Sequence, residues 1–98
     1  MNILKEQNGN ELTIKLEGRL DTSTSPQLEE ELKSALDGIS ILYFDLGALE
    51  YISSAGLRVL LSAQKVMNKQ GSMVVRGANE DIMEIFDVTG FSDILTIE

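Results

Sequence analysis

The sequence predicts an α/β domain: a mixed sheet of five strands with a βαβ core and helices packed against it. Three observations carry that expectation. Asn8-Gly9-Asn10 lies between two apolar stretches, the signal of a tight hairpin whose central residues favour positive φ. The runs Ile39 to Leu46 and Met73 to Val75 are each followed by apolar residues at helical spacing. Strands alternating with helices in this way require parallel neighbours joined by right-handed crossovers.

Taken in order, Ile3 and Leu4 begin the first strand. In the second, Leu12, Ile14 and Leu16 alternate with Thr13, Lys15 and Glu17 as far as Leu20, the period of a strand with one buried face. Asp21 to Ser25 is a cluster of capping residues, and Pro26 suits the first helical position because its missing N–H would be unpaired there anyway. Either Thr24 or Ser25 serves as cap; with Thr24, Gln27 completes a capping box. Leu28, Leu32, Ala35 and Leu36 form the buried stripe of this helix, and Gly38 stops it.

Ile39 to Leu46 is a nearly unbroken apolar segment and reads as a strand buried on both faces. Gly47 to Tyr51 follows as a short connection, with Leu49 and Ile52 folding back onto the core. The central helix runs from Ser54 to Lys69, with Leu57, Leu60, Leu61 and Met67 on one stripe and Val59, Ala63 and Val66 beside them. Gly71 ends it. Met73, Val74 and Val75 form the fourth strand. Asn79 caps a third helix with Glu80 and Asp81 in its first turn, Ile82, Ile85 and Phe86 on its apolar face and Thr89-Gly90 at its close. Ile94, Leu95 and Ile97 make the fifth strand.

At 98 residues and 43 % apolar content, residues 1–98 form one domain with a single core. Neither cysteine nor histidine occurs, which excludes disulfides, thiolate metal sites and imidazole acid–base chemistry. Met67, Met73 and Met83 read as core filler. A net charge of −8 repels nucleic acid and anionic membranes and favours a partner with a basic docking face. No run approaches the ~18 apolar residues of a membrane span, and the first residues lack a signal-peptide core, so a cytoplasmic protein without membrane insertion is expected. No glycine-rich loop supports a nucleotide cofactor, and Gly-x-Ser-x-Gly is absent, so an enzyme such as a serine hydrolase is not expected.

In sheets of this kind functional groups collect beyond the C-terminal strand ends. Asp21-Thr22, Ser53-Ser54 and Gly77-Ala78-Asn79 are therefore expected to share one edge. Tyr51-Ile52-Ser53-Ser54-Ala55-Gly56-Leu57 is the most telling stretch: two hydroxyls and two small residues at a helix start, where free N–H groups and the helix dipole welcome an anion. Only one serine is needed as cap. Gly56 costs a helix about 1 kcal/mol relative to alanine, so close approach of something to the helix start is expected.

Gly18-Arg19-Leu20-Asp21, Tyr51 to Leu57 and Phe86-Asp87-Val88-Thr89-Gly90-Phe91 together resemble the single-domain STAS proteins of the bacterial anti-sigma-factor antagonist family, over essentially the whole chain. The resemblance implies a phosphorylation-switched binding module in signal transduction and transcription regulation. The unmodified form binds an anti-sigma factor that is also a serine kinase and frees a sigma factor; the phosphorylated form lets go. It points to a phosphoprotein phosphatase as a further partner. The family motif Asp-Ser-Ser/Thr-Gly-Leu puts the phosphate acceptor at Ser54. Ser53 stands where the family usually has aspartate, making it a rival acceptor, and Ala55 stands where a second hydroxyl is common. Asp21, by resemblance and by position, is expected near Ser54, orienting the partner or its metal-bound nucleotide. Asp21, Thr22, Ser53, Ala55, Gly56 and Leu57 make up the expected partner-binding surface. The alternative is a STAS subunit that docks on the ATPase of an ABC-type lipid or solute transport complex without a phosphorylation cycle.

Overall fold

The computed structural model describes all of residues 1–98. Its elements run β1 (Asn2–Asn8), β2 (Glu11–Leu20), α1 (Ser25–Ala35), β3 (Ile41–Ile52), α2 (Ser54–Gln70), β4 (Ser72–Arg76), α3 (Glu80–Thr89) and a 3₁₀ turn (Phe91–Asp93). The sheet is mixed, in the order β1-β2-β3-β4, with β1 antiparallel to β2 and the other two pairs parallel. The hairpin and both crossovers fall where the sequence puts them.

The sheet has four strands and not five. Ile94 and Leu95 are taken up by the turn after Gly90, their N–H groups donating to the Phe91 carbonyl at 3.0 and 2.8 Å. Ile97 alone reaches β4, as an isolated bridge to Val75.

Leu12, Leu42 and Met73 lie in one row across the sheet, and Ile14, Phe44 and Val75 in another. All six are buried, and with Leu28, Leu32, Leu57, Leu60, Ala63, Met67, Ile82 and Phe86 from the helices they belong to a 23-residue core. The opposite sheet face carries Thr13, Lys15, Tyr43, Asp45, Val74 and Arg76, none of them fully buried. There the Arg76 guanidinium stacks over the Tyr43 ring at 4.1 Å. β3 is thus buried on one face, not two. Its apolar run conceals this because Ile41 and Tyr43 are tolerated on a half-exposed surface.

Gly47 to Tyr51 is strand, not connection. The pairing with β2 slips once between Lys15 and Glu17 and again between Gly18 and Arg19, each time inserting an extra residue in β3. Buried positions after Phe44 therefore step through Leu46, Leu49 and Ile52, three residues apart, instead of alternating. Two bulges keep these side chains on the core face while the strand twists.

Ser25 opens α1 with Thr24 at the cap position, but Thr24 makes no capping bond and no capping box forms. Its hydroxyl is committed to the preceding loop, accepting from the Asp21 N–H and donating to the Arg19 carbonyl, both at 2.8 Å. At the end of α2, a Cβ on Gly71 would come within 1.8 Å of the Ser40 carbonyl oxygen, which accepts from the Ser72 N–H at 2.9 Å. Only glycine lets the chain pass that close.

Candidate functional site

Leu20 pairs with Ile52 at the shared end of β2 and β3, and the Ser53 N–H donates to the Leu20 carbonyl at 2.9 Å. The Asp21 loop and the start of α2 therefore meet at one tip. The third loop does not reach it. β4 pairs with β3 only as far as Asp45, well short of Ile52, and Asn79 instead donates its side-chain amide to the Leu49 carbonyl at 3.2 Å. Asn79 also caps α3 as expected, accepting from the Ile82 N–H at 2.8 Å.

The two serines at the tip divide the work. Ser53 is the N-cap of α2, extended in backbone, its hydroxyl oxygen accepting from the Gly56 N–H at 3.3 Å. Serine is among the residues that cap a helix best, so the position suits it. Ser54 is the first helical residue and is exposed. Its neighbour takes the capping duty, so its hydroxyl projects into solvent uncommitted.

Gly56 and Leu57, expected on the partner-binding surface, lie beneath it. Both are buried, and a Cβ on Gly56 would sit 2.8 Å from Leu20 Cγ and 2.9 Å from Ile52 Cγ1. What approaches Gly56 is the protein's own core. These residues hold the tip against the sheet from below. Ala55 is half-buried and Thr22 exposed; both line a cavity of about 230 Å³ between α1 and α2, as do Arg58 and Glu29.

Asp21 organises its own loop. One carboxylate oxygen accepts from the Ser23 hydroxyl at 2.8 Å and N–H at 3.0 Å, and from the Thr24 N–H at 3.1 Å. The Ser23 hydroxyl chiefly, with these N–H groups, holds the Asp21 carboxyl below the usual carboxylate range against an opposing desolvation. The other oxygen lies 3.8 Å from Arg19 Nε, and the Arg19 guanidinium rests over the Tyr51 ring at 4.4 Å.

Helix α2 has no acidic residue in its first turn, whereas α3 carries Glu80 and Asp81 there. The positive end of the α3 dipole is compensated within the chain. That of α2 is left open beside a free hydroxyl, an arrangement in which an added anion is stabilised by about 0.3–1 kcal/mol. Arg58, one turn along from Ser54, escapes a reading based on motif residues alone; its i,i+4 spacing was the available signal. No group of carboxylates with metal-binding geometry occurs, and no helix is long and apolar enough to cross a membrane.

The family model for the STAS domain matches residues 2–98. The chain belongs to that family. BtrV of Bordetella bronchiseptica is 39 % identical to this STAS domain over 84 residues, covering 84 % of this chain and 72 % of BtrV. The anti-sigma-B factor antagonist of Bacillus subtilis is 31 % identical over 98 residues, covering 99 % of this chain and 90 % of the relative. That match places the chain in the bacterial anti-sigma-factor antagonist family. The fold recurs in the anti-sigma factor antagonist SpoIIAA, solved in unphosphorylated and phosphorylated forms. These match with TM-scores of 0.79 and 0.77 at 15 % identity, each covering 99 % of this chain and 87 and 91 % of the respective structure.

Proposed function

We propose that this STAS domain is a phosphorylation-switched binding module, not an enzyme, acting in the cytoplasm. Unmodified, it binds an anti-sigma factor that is also a serine kinase and so releases a sigma factor; phosphorylated at Ser54 it lets go, and a phosphatase restores it. The observation that carries this reading is the division of labour at the tip. Ser53 is engaged as cap, while Ser54 presents a free hydroxyl at an uncompensated helix start. A phosphoserine there adds about −1.5 to −2 charges with helix N–H groups at hand, so the fold itself survives the modification. A docked partner does not tolerate it, since an imperfectly paired dianion in an interface costs several kcal/mol. Asp21 serves this reading by shaping the neighbouring loop, with Thr22 and Ala55 offering the surface beside it.

The test is incubation with the cognate kinase and ATP, followed by mass spectrometry. Phosphate is expected on Ser54; phosphate on Ser53 would require the cap to be given up, and phosphate on neither would sink the switch. Ser54→Ala is expected to keep partner affinity and Ser54→Asp to lower it at least tenfold, ~1.4 kcal/mol or more. Co-purification with a transport ATPase, together with indifference to both substitutions, would favour the transport-subunit alternative.

A further inference from the structure

We propose that the outer face of α2, carrying Arg58, Lys65 and Lys69, grips an acidic segment of the partner, and that phosphate on Ser54 releases that segment by capturing Arg58. The proposal deepens the Ser54 reading above and rests on it. In a chain of net charge −8, charge is sorted by helix. α1 has three acidic residues and one basic, and α3 has four acidic and none basic. α2 has three basic residues and no acidic one. The net charge favours a basic partner face, but it hides this strip.

Arg58, Lys65 and Lys69 are all exposed. The ion pairs of the protein are Lys5–Glu31, Arg19–Asp21 and Lys33–Glu30, so none of the three is engaged. At 3.6 residues per turn, Ser54, Arg58, Lys65 and Lys69 fall within a sector of roughly 60°, and they span about 22 Å along the helix. A face that is merely solvated mixes signs, because i,i+4 opposite pairs stabilise a helix and like pairs oppose it. Here Lys65 and Lys69 are a like pair at that spacing. An acidic partner segment relieves that conflict.

The same geometry supplies the release. Ser54 and Arg58 are an i,i+4 pair, so a phosphoserine dianion lies within reach of the guanidinium, whose planar fork suits phosphate oxygens. Phosphorylation then takes the face from three positive charges to about one. It withdraws the cation nearest the tip and sets a dianion in the partner's path.

The experiment uses the full chain, ¹⁵N-labelled, titrated at low salt with a short oligoglutamate peptide as the acidic probe. Amide shifts centred on α2 are expected, abolished in Lys65→Glu/Lys69→Glu and weakened about tenfold when phosphoserine is genetically encoded at position 54. In that phosphoprotein, ³¹P titration is expected to give a lower phosphate pKa than in its Arg58→Gln counterpart. Shifts confined to other elements, or a ³¹P midpoint unmoved by Arg58→Gln, would overturn the proposal. With the kinase itself, Lys65→Glu/Lys69→Glu is expected to bind at least about tenfold more weakly while remaining a substrate at Ser54; equal affinity would overturn it. A kinase that ignores the unaltered chain would instead sink the reading of Ser54, and the probe titration would still decide this one.

Discussion

Ser53 and Ser54 differ by one position and by everything that follows from it. Ser53→Ala removes the capping oxygen of α2 and is expected to lower stability by about 0.5–2 kcal/mol in denaturant unfolding. Ser54→Ala, at an exposed and uncommitted hydroxyl, is expected to stay within about 0.5 kcal/mol of the parent. Gly56 shows that a helix-breaking residue can be fixed by packing alone. Alanine there gains about 1 kcal/mol of helix propensity, but its Cβ enters the space of Leu20 and Ile52. Overpacking of about 1–3 kcal/mol outweighs that gain, so Gly56→Ala is expected to unfold at lower denaturant. Asp21 carries a pH signature. Because its folded pKa is depressed, its contribution is whole above the ordinary value of about 3.9 and drains away as pH falls through the folded value. Asp21→Asn is expected to flatten the acid limb of the stability curve below about pH 4. An NMR carboxyl titration of the parent should place the Asp21 midpoint under 3.9.

Among the elements, β3 sets the geometry of the tip. It continues past its last pairing with β4 at Asp45 alongside β2 to Ile52, its two bulges keeping it in step with β2, and that extra length carries Ser53 and Ser54 up to the Asp21 loop while leaving Asn79 behind. The glycines on either side of β4, Gly71 and Gly77, are space-fixed. Gly77 has φ +79° and its Cβ would lie 2.9 Å from the Gly47 nitrogen; alanine there meets both left-handed strain of about 1–2 kcal/mol and a backbone contact. Gly71→Ala, aimed at the Ser40 carbonyl, is expected to cost about 3 kcal/mol or more, read as loss of the cooperative transition at a temperature the parent survives. The helices, the hairpin and the parallel crossovers were legible because each has local punctuation: Asn-Gly, Pro26, Asn79, Gly71. The continuation of β3 was not, since bulges change the apolar spacing from two to three and only pairing with β2 tells a bulged strand from a loop. The fifth strand failed for a related reason. Ile94 and Leu95 are apolar enough for a strand, but the left-handed Gly90 steers them into a 3₁₀ turn. Of the site, the serine pair could be read from sequence. That Ser53 rather than Ser54 is the cap, and that Gly56 and Leu57 face inward, depended on how α2 seats on Leu20 and Ile52.

At the scale of the whole molecule, one core of 23 side chains lies under one side of the sheet. The acidic balance falls on α1 and α3 and the basic residues of the helices fall mainly on α2. Partner affinity through α2 is therefore expected to decline as ionic strength rises from 50 to 300 mM, mainly through slower association; an association rate indifferent to salt would contradict it. The outer margin of β4 has a separate fate. Val75 donates to the Thr96 carbonyl at 2.8 Å and accepts from the Glu98 N–H at 2.9 Å, so two bonds from the last residues screen an otherwise naked row of amides. Trimming the chain after Leu95, which keeps that core residue, would strip that shield and offer β4 as a template for a neighbouring molecule's strand. Shortened protein should self-associate in size-exclusion chromatography, at concentrations where the parent elutes unchanged.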